Sequence, residues 1–482
     1  MVGRVRYRIT AAGVCAALVA ATLGPAAWSR SGTHSLLARL VDPTELSAQK
    51  VLTNVSSKNP YAKVRPTLEL GVRVVKRVSY GLEGAGIWVL SDGTIQVDRR
   101  IPRNCIEEGD SLAFPQTSLP TGLTYVDVDR MLGVCRGSVL AAEAFVGDVP
   151  GQPGGAPPHG LAFTQLVDGA GGLVLFLSDG RVYLAGVCKP GARGGEACMG
   201  RAMITSNKVT QGVKTSHNEI ALLNEDGMVD VYVISTHENI NYDARSPVLD
   251  EDIPRTRIPE LPPGVQYTAI GHDSGSMLGL ARSDGTVTLL QDYRHPDWKL
   301  GPVLEKRIPK APPGLYYVDM AIHRSSIMLL RNDGHVVGAT VKAKKGAQPH
   351  PPVKVPSLAH GWVFTDVWPA PDGFYFGAAK IPSGQKVASA VAKLKGPARV
   401  ARGARAVFTA KIATRATVKG QQVVARVDGK VVGKAKADKS GNVRVTINTA
   451  KLTKGKHTIK FKTSAKGKSA ASKAATATLR IR

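Results

Sequence analysis

Short apolar runs alternate with polar turns along most of this chain, and one such pattern recurs. Each copy is an apolar strand, a turn that contains Asp-Gly, and a second apolar strand. Asp-Gly between two apolar runs predicts a β-hairpin, because glycine tolerates the positive φ that a tight turn needs. The five copies carry their turns at Asp92-Gly93, Asp179-Gly180, Asp226-Gly227, Asp284-Gly285 and Asp333-Gly334.

The repeat extends to another predicted strand, about 16 to 18 residues before each Asp-Gly. It reads GVQYTAI before Asp284 and GLYYVDM before Asp333, each behind a Pro-rich connector. A degenerate unit fills the double-length gap between Asp92 and Asp179, and a last unit follows Trp362. Repeats of this length favour a β-propeller. The predicted fold is therefore all-β, with a seven-bladed propeller over residues 60–390 whose closure protects its strand edges.

One unit, YTAIGHDSGSMLGLARSDGTVTLL, resembles the repeat of the regulator of chromosome condensation superfamily. The matching positions are Tyr267, Gly271, His272, Leu278, Leu280, Asp284, Gly285 and Val287. A second unit matches at Tyr317, His323, Leu329, Asp333, Gly334 and Val336. The resemblance implies a seven-bladed propeller. It implies no nucleotide exchange, because that activity belongs to one branch of the family and no motif for it is present here.

The N-terminus is typical of a secretory signal. Three arginines within residues 4–8 precede an apolar stretch from Ile9 to Leu23, and small residues follow it. This stretch is short for a membrane span. We predict a signal peptide over residues 1–27, with an uncleaved anchor as the alternative. The segment 28–59 is predicted to be partly helical or disordered.

Export determines how the cysteines are interpreted. Removing residues 1–27 leaves Cys105, Cys135, Cys188 and Cys198, and an even number in an exported chain predicts disulfides. Of the three possible pairings we favour sequence neighbours, Cys105 with Cys135 and Cys188 with Cys198. Zinc binding is the rival interpretation, but no Cys-x-x-Cys spacing or paired histidine accompanies these residues.

Charge divides the chain in two. From Lys380 to Arg482 there are 26 Lys and Arg against two acids, so this part holds +24 of the total +27. Its apolar positions alternate with polar ones between turns, which predicts a β-sandwich over residues 391–482. The stretch also resembles bacterial immunoglobulin-like domains of surface proteins. The residues that carry this resemblance are Val427, Asp428, Gly429, Leu452, Gly455, His457 and Thr458.

The lysines of this basic domain alternate with apolar positions and are therefore expected on solvent faces. One interpretation is edge protection and solubility. The other is attraction to an anionic polymer of the cell envelope, such as wall teichoic acid, lipid head groups or extracellular nucleic acid. For polyanion binding we single out four lysines that flank one predicted hairpin: Lys430, Lys434, Lys436 and Lys439.

The sequence offers little support for catalysis. It contains no sialidase Asp box, nucleophile elbow or phosphate loop. The acidic runs at Glu107 and Asp250 are interpreted as solvated loops, and His217, His272 and His323 as structural. We predict a secreted or cell-envelope-associated monomer with no catalytic residue, metal, cofactor or nucleotide. Its propeller face is predicted to bind a protein or glycan. The alternative is an exported propeller enzyme, a polysaccharide lyase or hydrolase with its site on the blade loops.

Overall fold

The computed structural model is built almost entirely of strands, which make up 60% of the described residues against 1% helix. The predicted all-β class is confirmed. The four cysteines, His217, the two acidic runs, the signal region and most of residues 28–59 lie outside the described residues. The described residues are 49–54, 65–69, 72–80, 85–97, 125–130, 137–141, 144–146, 153–155, 161–169, 172–186, 203–205, 208–215, 219–238, 245–249, 258–272, 277–291, 308–323, 326–340, 354–359, 361–370, 373–381, 386–414, 416 and 418–482.

The described part of residues 50–380 forms seven antiparallel sheets, which we call the N-terminal body. The strands are β1 (Lys50–Thr53), β2 (Val74–Tyr80), β3 (Ala85–Leu90), β4 (Ile95–Val97), β5 (Tyr125–Arg130), β6 (Gly137–Ala141), β7 (Ala144–Val146), β8 (Pro153–Gly155), β9 (Phe163–Gly169), β10 (Gly172–Leu177), β11 (Val182–Gly186), β12 (Met203–Thr205), β13 (Val209–Lys214), β14 (Glu219–Asn224), β15 (Val229–Glu238), β16 (Arg245–Leu249), β17 (Tyr267–His272), β18 (Met277–Arg282), β19 (Val287–Gln291), β20 (Tyr317–His323), β21 (Ser326–Arg331), β22 (Val336–Thr340), β23 (Trp362–Ala370) and β24 (Gly373–Lys380).

Each of these sheets contains strands that follow one another in sequence, with one exception. The sheets are β2–β4, β5–β8, β9–β12, β13–β16, β17–β19 and β20–β22, and the last has the order β1-β24-β23. We call β2, β5, β9, β13, β17, β20 and β23 the lead strands. They contact one another in that cyclic order, and β23 contacts β2 again. The contacts among the lead strands therefore form a closed cycle.

Every lead strand carries an irregularity at the same place. Its register against the next strand shifts by one residue near its N-terminal end, as a β-bulge does. A bulge raises the local twist and redirects the side chain that follows it. The skipped residues are all β-branched: Val75, Val126, Thr164, Thr210, Thr268, Val318 and Thr365.

Polar side chains just after the bulge join neighbouring sheets. The Gln211 amide donates to the carbonyl of Ile270 at 2.6 Å and accepts from the Ile270 N–H at 2.8 Å. Asp319 Oδ2 accepts from the Val367 N–H at 3.3 Å. A buried polar group left without its partner costs about 1–3 kcal/mol. These groups are therefore structural, since their hydrogen bonds hold adjacent sheets in place.

Strand β1 joins the two ends of the series of sheets. It pairs antiparallel with β24 over its whole length. Just before it, Gln49 donates from Nε2 to Asp366 Oδ2 at 2.9 Å and accepts at Oε1 from the Val74 N–H at 2.7 Å. One buried side chain therefore connects the last sheet to the first.

The five Asp-Gly pairs lie in turns between the second and third strands of their sheets. In each turn Asp Oδ1 accepts from the N–H two residues on, and the glycine has φ between 79° and 87°. The carbonyl oxygens of four of these glycines also accept a hydrogen bond from a backbone N–H of the next sheet or of the connector that leads to it. Those glycines are Gly180, Gly227, Gly285 and Gly334.

The remaining strands form a C-terminal body of two sheets around one apolar core. One sheet has the order β25-β27-β30 and the other β26-β32-β31-β28-β29. Phe408 and Phe461, from opposite sheets, lie 5.2 Å apart between ring centroids. The elements are β25 (Ala390–Lys395), β26 (Arg399–Val400), β27 (Arg405–Ala413), β28 (Gln422–Val427), β29 (Lys430–Lys436), β30 (Asn442–Asn448), a 3-10 helix (Thr449–Lys451), β31 (Gly455–Thr463) and β32 (Ala475–Ile481).

The two bodies are in contact. Ala390, the first residue of β25, is buried in the same apolar cluster as Ile322 and Ile327 of the N-terminal body. Lys468 Nζ donates to the carbonyl of Ile381, which directly follows β24. Both an apolar contact and a hydrogen bond therefore hold the C-terminal body against the N-terminal one.

Candidate functional site

The outer face of the five-stranded sheet carries eight exposed cations. Its inner face supplies the apolar core, so the polar positions that alternate with the core residues point to solvent. We call this surface the basic face. Its cations are Arg399, Arg426, Lys434, Lys436, Lys456, Lys460, Lys462 and Arg480.

Strand β31 lies in the middle of the sheet and shows how the sequence produces this face. It reads GKHTIKFKT, with apolar and basic residues in alternation. Ile459 and Phe461 are fully buried, whereas Lys460 and Lys462 are exposed. Because successive strand residues point to opposite sides of a sheet, burial of the apolar pair places the lysines together on the outside.

Strand pairing brings cations of neighbouring strands directly opposite one another. Arg426 of β28 pairs with Lys460 of β31, and Lys456 of β31 pairs with Arg480 of β32. Arg480 in turn pairs with Arg399 of β26. Directly opposite side chains have Cβ atoms about 4.5–5.5 Å apart, and like charges there are destabilising. The sheet thus carries a charge arrangement that an anionic partner would relieve.

Acidic residues do not balance this face. None of the five strands contains Asp or Glu, and the C-terminal body has only Asp428 and Asp438, both in turns at the ends of β29. The side chain and backbone N–H of Asn442 donate to Asp438 and lower its carboxyl pKa below the ordinary value. Asp438 is therefore ionised near neutral pH, but its hydrogen bonds lie within its own turn. The positive potential of the basic face is left to attract external anions.

The four lysines singled out from the sequence do not share one surface. Lys434 and Lys436 belong to the basic face, since they pair with the outward residues Val424 and Gln422. Lys430 pairs with the core residue Val427 at the hairpin end of β29. Lys439 lies beyond the other end of the strand, in the turn before β30. At about 3.3 Å per residue, Lys430 and Lys436 are about 20 Å apart along the strand.

The repeat residues occupy structural positions. Asp333 is fully buried and accepts from Arg331 Nε at 2.9 Å and from the His335 N–H at 3.2 Å. Burial raises its pKa, but hydrogen bonds and charge from His335 and Arg331 outweigh burial and bring the pKa to about 2. His272 and His323 are the last residues of β17 and β20. Within the described ranges, no group of three or more His, Cys, Asp or Glu could hold a metal ion.

Sequence reasoning missed most of the basic face. The alternation in KHTIKFK was the available signal for Lys456, Lys460 and Lys462, because it predicts that the three share one side of a strand. Nothing local indicated that β31 pairs with both β28 and β32. The contributions of Arg426 and Arg480 depend on that pairing.

No protein-family model matches the chain, and no curated protein matches it. Among solved structures, the chain is similar to the twitchin kinase region from C. elegans, at 17% identity and a TM-score of 0.14, over 20% of this chain and 16% of that chain. The extracellular domain of the putative hybrid two-component system BT4673 from B. thetaiotaomicron matches at 9% identity and a TM-score of 0.21, over 86% of this chain and 69% of that one. The complex of KlAtg21 with the coiled coil of AgAtg16 matches at 10% identity and a TM-score of 0.25, over 56% and 95% of the two chains. At these TM-scores the likenesses carry no argument about fold or function.

In the part of the chain that the structure describes, no helix is long and apolar enough to cross a membrane.

Proposed function

We propose that this protein is an exported binding protein that attaches to an anionic polymer of the cell envelope through the basic face. Its N-terminal body acts as a scaffold that presents a protein- or glycan-binding surface. The observation that carries the proposal is the basic face itself, where cations oppose cations across three strand pairs and no acid intervenes. Solubility alone does not require like charges to be placed directly opposite one another.

The size of the basic face favours an extended polymer over a small ligand. Cations occupy all five strands of the sheet, and strands lie about 4.8 Å apart, so the face spans about 19 Å across the strands. A polymer with repeated negative charges can contact several of these side chains at once. Each contact releases counterions from the polymer, which makes such binding strongly dependent on salt.

We assign the N-terminal body to a seven-bladed propeller and the C-terminal body to an immunoglobulin-like sandwich. Support for the propeller comes from seven sheets of consecutive strands, a bulge at one place in every lead strand and a closed cycle of lead-strand contacts. Strand β1 completes the last sheet, so the chain ends of the ring are joined by backbone hydrogen bonds. A rigid ring of this kind positions its surface loops for recognition.

The test uses full-length protein and immobilised heparin as the polyanion. The face variant is Lys456→Gln/Lys460→Gln/Lys462→Gln. The matched control, Lys419→Gln/Lys439→Gln/Lys451→Gln, removes the same charge from exposed residues outside the face. Binding is measured between about 0.05 and 1 M salt, and log K is plotted against log salt concentration.

By analogy with nucleic acids, each lost contact reduces the magnitude of the slope of log K against log salt concentration by about 0.7–0.9. The face variant lacks three lysines, so the magnitude of its slope should fall by about 2–3, and that of the control should fall much less. Equal losses in the two variants would show that only net charge matters. Binding that persists at 1 M salt, where the Debye length is about 3 Å, would show that charge does not drive attachment.

A further inference from the structure

A second basic feature lies on the other sheet of the C-terminal body. The outer surface of β25-β27-β30 forms a cleft of about 540 Å³. Because the two sheets enclose one core, this cleft and the basic face lie on opposite sides of the C-terminal body. The polar residues that line the cleft and could meet a ligand are Lys393, Lys395, Thr409, Lys411, Asn442 and Arg444.

Strand register places three cations around one hydroxyl group. Thr409 is on the central strand β27, opposite Lys395 of β25 on one side and Arg444 of β30 on the other. Lys411 follows two residues later on the same side of β27, opposite Asn442. Directly opposite residues have Cβ atoms about 4.5–5.5 Å apart, which is within reach of one small anion for long basic side chains.

The backbone of β25 departs from regular strand geometry at this cleft. Its register against β27 shifts between Ala392 and Lys395, and Lys393 has φ of 50°. The left-handed region costs a non-glycine residue about 1–2 kcal/mol. Among described non-glycine residues, only Asp428 shares a positive φ, and it lies in a hairpin turn. Bulges and strained residues recur at functional sites, where they redirect side chains.

The charge of the cleft is not neutralised internally. Four cations line it, and Asp438 is its one lining acid. The Asp438 carboxylate accepts from the backbone N–H groups of Ser440 and Asn442 and from Asn442 Nδ2, and the structure pairs it with none of the four cations. The cleft therefore has an excess of about three positive charges around a hydroxyl donor.

We infer that this cleft binds a phosphate group, either as free phosphate or as a phosphate monoester. A dianionic tetrahedral group can accept from the Arg444 guanidinium at two oxygens, while its remaining oxygens meet the lysines and the Thr409 hydroxyl. A single carboxylate would leave most of these donors unused. The site is separate from the basic face, and the inference does not rest on the proposed polymer attachment.

The test measures thermal unfolding of the full-length protein with glycerol 3-phosphate and, separately, with inorganic phosphate, at an ionic strength held constant with sodium chloride. A ligand that binds only the folded state raises Tm, so we expect a rise of a few degrees at ligand concentrations well above Kd. Isothermal titration calorimetry gives the affinity directly. Lys411→Gln/Arg444→Gln should abolish the response, and Thr409→Val, which keeps all the charges, should weaken binding several-fold.

Lys460→Gln/Lys462→Gln is the matched control, because it removes two charges from the basic face instead. It should keep the glycerol 3-phosphate response and weaken heparin binding, whereas the cleft variant should keep most of its heparin binding. No Tm rise beyond that of matched chloride would overturn the inference. Equal loss in the cleft and face variants would also overturn it. A response to inorganic phosphate with none to the ester would identify free phosphate as the ligand. If Lys411→Gln/Arg444→Gln does not fold, Lys395→Gln alone should lower the affinity.

Discussion

Substitution of Gly334 tests how the repeat turns hold adjacent sheets together. Gly334 has φ of 79°, and its carbonyl accepts from the Phe364 N–H of the next sheet at 3.0 Å. A Cβ atom added there would lie 2.5 Å from Val363 Cβ and 2.6 Å from its Cγ1. Alanine therefore meets two penalties, the left-handed backbone at about 1–2 kcal/mol and a steric overlap at about 1–3 kcal/mol. We expect Gly334→Ala to lower the free energy of unfolding by about 2–5 kcal/mol.

Gly264 provides the control, because it has φ of 75° and no heavy atom within 4 Å of an added Cβ. Gly264→Ala should therefore lose only the backbone part, about 1–2 kcal/mol. Both variants are compared with wild type by guanidinium unfolding followed by tryptophan fluorescence, for which Trp362 and Trp368 in the adjacent strand β23 are reporters. Equal losses in the two variants would refute the packing argument. The overlap should also appear as coupling, so that Gly334→Ala costs less in a Val363→Ala background.

Two further predictions concern buried charge and redox state. The pKa of Asp333 is about 2 in the folded protein, below its ordinary value of 3.8. Its ionised form therefore stabilises the protein above about pH 4, and this contribution is lost as pH falls through about 2. At 1.36 kcal/mol per pKa unit, the free energy of unfolding of wild type should fall over that range by about 2 kcal/mol more than that of Asp333→Asn. Denaturation of both proteins at each pH measures this difference. Parallel pH profiles would contradict the prediction. The mature cysteines Cys105, Cys135, Cys188 and Cys198 are predicted to be oxidised, so thiol titration of the denatured exported protein should find no free thiol, and four reactive thiols would contradict export with disulfides.

Local chemistry allowed the sequence to predict elements and turns. The Asp-Gly pairs were predicted to be turns, and the structure places them between strands with glycine at positive φ. That prediction works because the glycine backbone and the short Asp side chain act within two residues. The alternation of β27, β30 and β31 likewise follows from a period of two, which is visible in one strand alone.

The amino-acid sequence around each bulge of the lead strands gives little indication that a bulge is present. A β-branched residue stands at each one, but valine and threonine are common in any strand. Only pairing with the next strand shows that a residue is skipped. The bulges matter for the architecture, because residues just after them, such as Gln211 and Asp319, hydrogen-bond to the neighbouring sheet.

Four features of this protein can be inferred from its amino-acid sequence: the all-β class, the repeat, the charge division between the two bodies and the alternation that turns lysines outward. Which strands become neighbours is seen only in the folded chain. Gln49 bonds to Asp366 across 317 positions, and the cations of the basic face meet only because β31 lies between β28 and β32. The cleft arises in the same way, from the pairing of β27 with β25 and β30. Side-chain period and turn chemistry act over a few residues, whereas strand order is settled by burial of the whole core.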